Sequence, residues 1–80
     1  MVTTATPLLG LDVGSTSVKG VLLDPRGERT LRASQRRHHG RLGEAARDTL
    51  SELWPARGRS ALVLTGSGAA RIARALGAPT

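Results

Sequence analysis

Eighty residues limit the chain to one small domain, with little apolar area to hold itself together. There is no cysteine, so no disulfide or thiolate metal site can staple it, and Trp54 is its sole aromatic side chain. Twelve basic against six acidic residues give a charge of +6, but the bases are spread along the chain with no aromatics between them to stack on nucleobases.

Eleven of the twelve bases are Arg, a bias that codon composition also produces. A core of Leu, Val, Ala and one Ile is thin for this length. It is what one expects of a piece of a larger fold, or of a chain that needs a partner. Residues 1–7 read as a disordered lead ending in Pro7. They carry no basic n-region, and the apolar stretch from Leu8 breaks at Asp12, so no targeting segment is expected. Nothing approaches the roughly 20 apolar residues of a membrane span. A cytoplasmic protein is the default expectation.

Leu8 to Val13 is an apolar run of strand length, and Gly14-Ser15-Thr16-Ser17 is turn chemistry. Val18 to Leu23 is a second β-rich run, closed by Asp24-Pro25-Arg26-Gly27. Proline presets one turn residue there and glycine tolerates positive φ at another. Two apolar runs around a four-residue turn predict a hairpin. Glu28 to Gln35 alternates weakly, with Leu31 and Ala33 on one face, and reads as a third strand at the edge. Its arginines discourage pairing with other molecules.

Arg36 to Gly43 reads as a basic connector. From Leu42 to Trp54 the residues Leu42, Ala45, Ala46, Thr49, Leu50, Leu53 and Trp54 share one helical face. Pro55 stops that helix, and Arg57-Gly58-Arg59 is a loop. Ala61 to Leu64 is continuously apolar, as in a strand buried on both faces. Thr65-Gly66-Ser67-Gly68 turns the chain into an Ala-rich helix, Ala69 to Leu76, stopped by Gly77 with Pro79 beyond. The expected class is α/β, in the order β-β-β-α-β-α. Three strands form an antiparallel meander, and the helix returns the chain to a fourth strand parallel to the first. The mixed sheet that results is the opening half of a ribonuclease-H-like lobe.

The chemistry concentrates in Gly10 to Lys19. Asp12 ends a strand read as buried, where a carboxylate must be paired or bound to a metal. Gly14 lets the backbone approach a ligand. Ser15, Thr16 and Ser17 supply hydroxyls and successive backbone N–H groups, the materials of an anion nest. Lys19, two residues past Ser17 on the same face, meets phosphate charge. Asp12 suits Mg²⁺ held through water, since that ion takes oxygen ligands and keeps much of its hydration. The competing reading is a plain hairpin with a Gly-Ser turn and a solvated lysine.

This stretch resembles the first phosphate motif of the sugar kinase/Hsp70/actin superfamily. Thr65-Gly66-Ser67-Gly68 comes only 53 positions after Asp12. That spacing resembles the BadF/BadG/BcrA/BcrD-type ATPases, which include activators of 2-hydroxyacyl-CoA dehydratases and benzoyl-CoA reductases. Carbohydrate kinases usually carry a longer insertion there. The connector Arg37-His38-His39-Gly40-Arg41 and the ending Ala75-Leu76-Gly77 are similar to the same branch, and the resemblance covers about residues 8–79. It implies an incomplete actin-like ATPase domain with ATP and Mg²⁺ as cofactors. Asp12 would organise the water shell of the metal, Gly14, Ser15, Thr16 and Ser17 would cradle phosphates, and Lys19 would assist. Thr65, Gly66, Ser67 and Gly68 would face the nucleotide cleft, or form a routine strand-to-helix loop.

The resemblance also implies partners: the remainder of the ATPase or a second subunit, and a client dehydratase or reductase. Some activators have a Tyr and a following Arg in the second turn. Here Ser67 and then Ala69-Ala70-Arg71 stand instead, so those roles do not carry over. Activators share an iron–sulfur cluster through cysteines, and this chain has no such ligand. The catalytic residues are unknown, and the isolated 80-residue chain is expected to turn over little or no ATP.

Two other functions stay open. One is the leading piece of a carbohydrate kinase. The other is a small basic module that binds RNA or protein through Arg36, Arg37 and Arg41, against which stands an ordinary solvated loop. His38 and His39 are adjacent, hence on opposite faces of a strand and poor joint metal ligands. Trp54 is expected to cover the core rather than stack on a base.

Overall fold

A computed structural model of the chain describes residues 6–55 and 59–77. Over those residues the protein is α/β, with one mixed four-stranded sheet and two helices, as expected. In chain order the elements are β1 (Leu8–Val13), β2 (Ser17–Leu23), β3 (Thr30–Arg37), α1 (Leu42–Leu53), β4 (Ala61–Thr65) and α2 (Ala69–Ala75). The sheet runs β3-β2-β1-β4. β1 pairs antiparallel with β2 and parallel with β4, and β2 pairs antiparallel with β3. Among the described residues, no helix is long and apolar enough to cross a membrane.

Strand alternation assigns the two faces. Leu9, Leu11 and Val13 of β1 point to one side with Val18 and Leu22 of β2, and all five are buried. Against them α1 presents Ala45, Ala46, Thr49 and Leu53, and α2 presents Ile72. Gly20 is the contact that lets α1 lie close to the sheet. A methyl group there would stand 2.5 Å from Leu53 Cδ1 and 2.9 Å from Thr49 Cγ2. Thr49 is fully buried, and its hydroxyl donates to Ala45 O at 2.8 Å, so that hydroxyl is not stranded.

The buried core is one-sided, and this corrects the reading of β4. Leu62 and Leu64 pack on the core, but Val63 is 61% exposed. Both helices lie on the same side of the sheet, so the residues between core positions face outward.

The third strand is displaced by two residues from Glu28–Gln35, and so takes in Arg36 and Arg37 from the expected connector. The turn accounts for the shift. Asp24 N–H donates to Arg29 O at 2.9 Å, Gly27 N–H to Asp24 O at 2.8 Å, and Glu28 N–H to Asp24 Oδ1 at 2.8 Å. Those bonds occupy the chain up to Arg29. Leu31 and Ala33 are exposed on the uncovered side, while Ser34 and Arg36 face α1. Glu52 accepts from both, and Asp48 lies 4.0 Å from Arg36. The inner row of an edge strand overlies the flank of the helix rather than its apolar face, so a polar row fits there.

The helix ends differ slightly from expectation. α1 stops at Leu53, and Trp54 leaves it with ψ 135°. That backbone turn swings the indole outward, so Trp54 is 41% exposed instead of covering the core. α2 stops at Ala75, with Leu76 as its C-cap. Most of the expected lead (residues 1–5), Arg57 and Gly58 of the expected loop, and Pro79 lie outside the described residues.

The Asp24 turn yields a pH-dependent signature. The N–H of Glu28 is the main group holding the Asp24 carboxyl below its ordinary value, with smaller help from the N–H groups of Arg29, Gly27 and Arg26. A depressed carboxyl stabilises the fold above its unfolded pKa, and that contribution is lost as pH falls through the folded one. NMR titration should place the Asp24 midpoint below that of an ordinary aspartate. The Glu28 amide should lose exchange protection over the same acidic range, and Asp24→Asn should abolish that pH dependence. An ordinary midpoint for Asp24 would remove the carboxylate from this role.

Candidate phosphate-binding site

The C-terminal ends of β1 and β4 and the start of β2 meet at one end of the sheet. Register brings Asp12 opposite Lys19 on one side and Thr65 on the other. These three residues therefore form a row across three strands on the uncovered face. A recess of about 250 Å³ runs along them, floored by Gly10, Val21 and Val63. Opposite charges directly across an antiparallel pair attract, so Asp12 and Lys19 are favourable neighbours.

Asp12 is exposed, which corrects its reading as a carboxylate inside a buried strand. Its charge needs no partner for solvation, because among the described residues no helix covers the side of the sheet it occupies. The case for a ligand at Asp12 thus rests on its neighbours and not on burial.

Two turns flank the row. In the first, Gly14 N–H donates to Ser17 O at 2.9 Å, and Ser15 and Thr16 are exposed at the tip. Ser17 opens β2 in register with Arg37 and on the same face as Lys19. In the second, Gly66 has φ 97° and lies against the end of β1. A methyl group on it would stand 2.6 Å from Asp12 Oδ1 and would also strike Val13 O. Gly68 N–H donates to Val13 O at 3.0 Å, which closes this turn onto β1. Gly68 is buried between Val13 and Leu42.

A second recess of about 250 Å³ separates the two turns. It is lined by Gly14, Ser15, Ser67 and Gly68 from the turns, by His38 and Gly40 from the β3–α1 connection, and by Arg71 from α2. The residues singled out from the sequence therefore fall into two groups. Asp12, Lys19 and Thr65 share the open-face row. Gly14, Ser15, Ser67 and Gly68 line the recess between the turns. Thr16 is at the tip, Ser17 starts β2, and Gly66 stands where the two groups adjoin.

Two residues of this end escaped the sequence reading. Arg71, which fits no motif of the resemblance, lines the recess. His38 shows no signal in the sequence beyond its adjacency to His39. It lies in the turn after β3 and not on a strand. His38 N–H donates to Thr16 O at 3.1 Å, and its ring Nε2 lies 3.1 Å from Gly14 O, 24 residues away in sequence. No short-range pattern could have shown that contact.

The other basic residues nearby are largely engaged. Arg36 pairs with Glu52 and Asp48, and Arg41 lies 3.8 Å from Glu44. The Arg36–Arg41 cluster is thus interleaved with carboxylates, which weakens it as a nucleic-acid surface.

The donor set bears on the cofactors that the resemblance implies. Among the described residues, no three His, Asp or Glu side chains gather to hold a metal. One exposed carboxylate at a strand end fits a hydrated Mg²⁺ shared with phosphate oxygens, and nothing more elaborate. An iron–sulfur cluster does not fit, since the chain contains no cysteine. No family model matches the chain, and no curated protein matches it.

Proposed function

We propose that this chain is the phosphate-binding, N-terminal part of a ribonuclease-H-like ATPase lobe, of the kind found in activators of 2-hydroxyacyl-CoA dehydratases and benzoyl-CoA reductases. The observation that carries the reading is the row Lys19, Asp12, Thr65, set across three strands with a Gly/Ser-rich turn at each side. The strand order, with edge strand β4 parallel to the central β1, is consistent with such a lobe.

Each residue has a role in this reading. The Ser15 to Ser17 turn and Thr65 to Gly68 offer hydroxyls to phosphate oxygens, and Ser15, Thr16 and Ser67 add backbone N–H groups, while the N–H of Gly68 is taken by Val13 O. Lys19 offsets their charge. Asp12 orients the waters around Mg²⁺, which when bound neutralises the phosphates. The row is open to solvent, so water exclusion and turnover need a second lobe to close over it. In the complete protein, nucleotide hydrolysis would drive that closure and the electron transfer to a client enzyme.

Calorimetry with Mg²⁺ and inorganic pyrophosphate tests the reading. Binding should be weak and Mg²⁺-dependent. Asp12→Ala should weaken it by about tenfold, the scale of a hydrogen bond to a charged group. Binding indifferent both to Mg²⁺ and to Asp12→Ala would sink the proposal. Brisk ATP turnover by this chain alone, lost in Asp12→Ala, would sink the half-site view.

A further inference from the structure

One residue outside the Gly14–Ser17 turn arranges its polarity. A backbone carbonyl repels an oxyanion and an N–H attracts one, so a turn receives anions only when its carbonyls are drawn away. Three carbonyls of this turn are occupied. Ser17 O accepts from Gly14 N–H at 2.9 Å and Thr16 O from His38 N–H at 3.1 Å, while Gly14 O faces His38 Nε2 at 3.1 Å. His38 therefore holds two of the three. Among the described residues, the N–H groups of Ser15 and Thr16 donate to no atom.

The bonding pattern also decides the state of the ring. Gly40 N–H can only donate, and it meets His38 Nδ1 at 3.0 Å. Nδ1 is therefore the bare nitrogen and the ring proton sits on Nε2, where it donates to the Gly14 carbonyl. A tight turn presents this ring. Arg41 N–H donates to His38 O at 2.7 Å, with His39 at φ 49° and Gly40 at φ 81° between them. Both ring nitrogens are satisfied only in the neutral form.

We infer that His38 is the positioning residue of an oxyanion-binding turn. Its neutral ring, protonated on Nε2, draws in the Gly14 carbonyl while its own N–H draws in that of Thr16. The N–H groups of Ser15 and Thr16 are thereby left to meet a phosphoryl oxygen. His38 does not touch the ligand; it acts through the turn. The choice of a phosphoryl group rests on the function proposed above, whereas the clasp stands without it.

NMR of the full chain at neutral pH tests both parts. Long-range nitrogen–proton spectra should show Nε2 protonated and Nδ1 bare. The amides of Ser15 and Thr16 are then followed while wild type, His38→Ala and His38→Gln are titrated with inorganic pyrophosphate and, separately, with Mg-ATP. His38→Ala should weaken both ligands about fivefold, the scale of one lost hydrogen bond. His38→Gln, whose amide nitrogen stands in for Nε2, should recover affinity to within about twofold. A ring protonated on Nδ1, wild-type affinity in His38→Ala, or a loss confined to Mg-ATP overturns the role given to His38. The ring measurement is made on wild type, so it decides even where His38→Ala fails to fold. An Nε2-protonated ring in a wild type that binds neither ligand keeps the clasp and overturns the phosphate reading.

Discussion

Replacing Gly66 by alanine is expected to destabilise the protein by ~3 kcal/mol or more. Two costs add. At φ 97° an L-residue is strained whatever the space around it. The added methyl group would also strike Val13 O and stand 2.8 Å from Val13 C and 2.6 Å from Asp12 Oδ1. Backbone atoms of a central strand cannot step aside as a flexible side chain can. A domain of this size has roughly 4–12 kcal/mol in total, so the loss is a large share of it. The Asp12 row should be lost with it, because the turn that closes onto β1 must move off the strand end. Urea unfolding measures the first effect, and pyrophosphate binding by the surviving folded fraction measures the second. A Gly66→Ala variant with an unchanged midpoint would mean that this turn does not lie against β1.

Leu11→Ala should cost about 3 kcal/mol. Leu11 is 1% exposed and packs in a cluster with Val13, Val18, Ala45, Ala46 and Ile72, partly covered by Leu62 and Leu64. With no large aromatic nearby to relax into the space, much of the cavity should persist. Its neighbour Asp12, on the opposite face of the same strand, should behave in the contrary way. Asp12→Ala is expected to leave the urea midpoint within about 0.5 kcal/mol of wild type, while it abolishes most of the Mg²⁺-dependent binding. Adjacent residues with opposite outcomes would separate the two faces of β1, one for stability and one for ligand. A large loss of stability in Asp12→Ala would collapse that distinction.

Some of this was legible from local patterns. The apolar runs around Gly14-Ser15-Thr16 and around Pro25-Arg26-Gly27 mark two reversals, and both are present. The helical face of Leu42, Ala45, Ala46, Thr49, Leu50 and Leu53 is the one that packs on the sheet. Turn chemistry and a 3.6-residue period act over a few residues, so neighbours in sequence suffice to reveal them. The third strand slipped by two residues because its start depends on a side-chain cap, Asp24 to Glu28, that competes with the ladder.

The candidate site was half legible. Asp12, the Ser/Thr turn, Lys19 and the Thr65–Gly68 turn could be chosen by residue type, and their meeting at one end of the sheet follows from the parallel pairing of β1 with β4. Their surroundings could not be chosen that way. The apolar residues beside Asp12 and Val63 in sequence suggest burial of both, and both are exposed. An apolar run does not state how many faces of a strand are covered. That depends on where the two helices come to lie, which for Asp12 means elements 30 and more residues away.

The sequence alone thus determined the order of strands and helices and the chemical character of the hairpin from Asp12 to Lys19, because both rest on local backbone preference and residue type. Only the tertiary structure decided that one side of the sheet stays bare, that Asp12 is exposed on it, and that His38 reaches across to hold the hairpin's carbonyls. Those facts are set by long-range packing of α1 and α2 on a single face, and by a contact between residues 24 apart that no periodicity encodes.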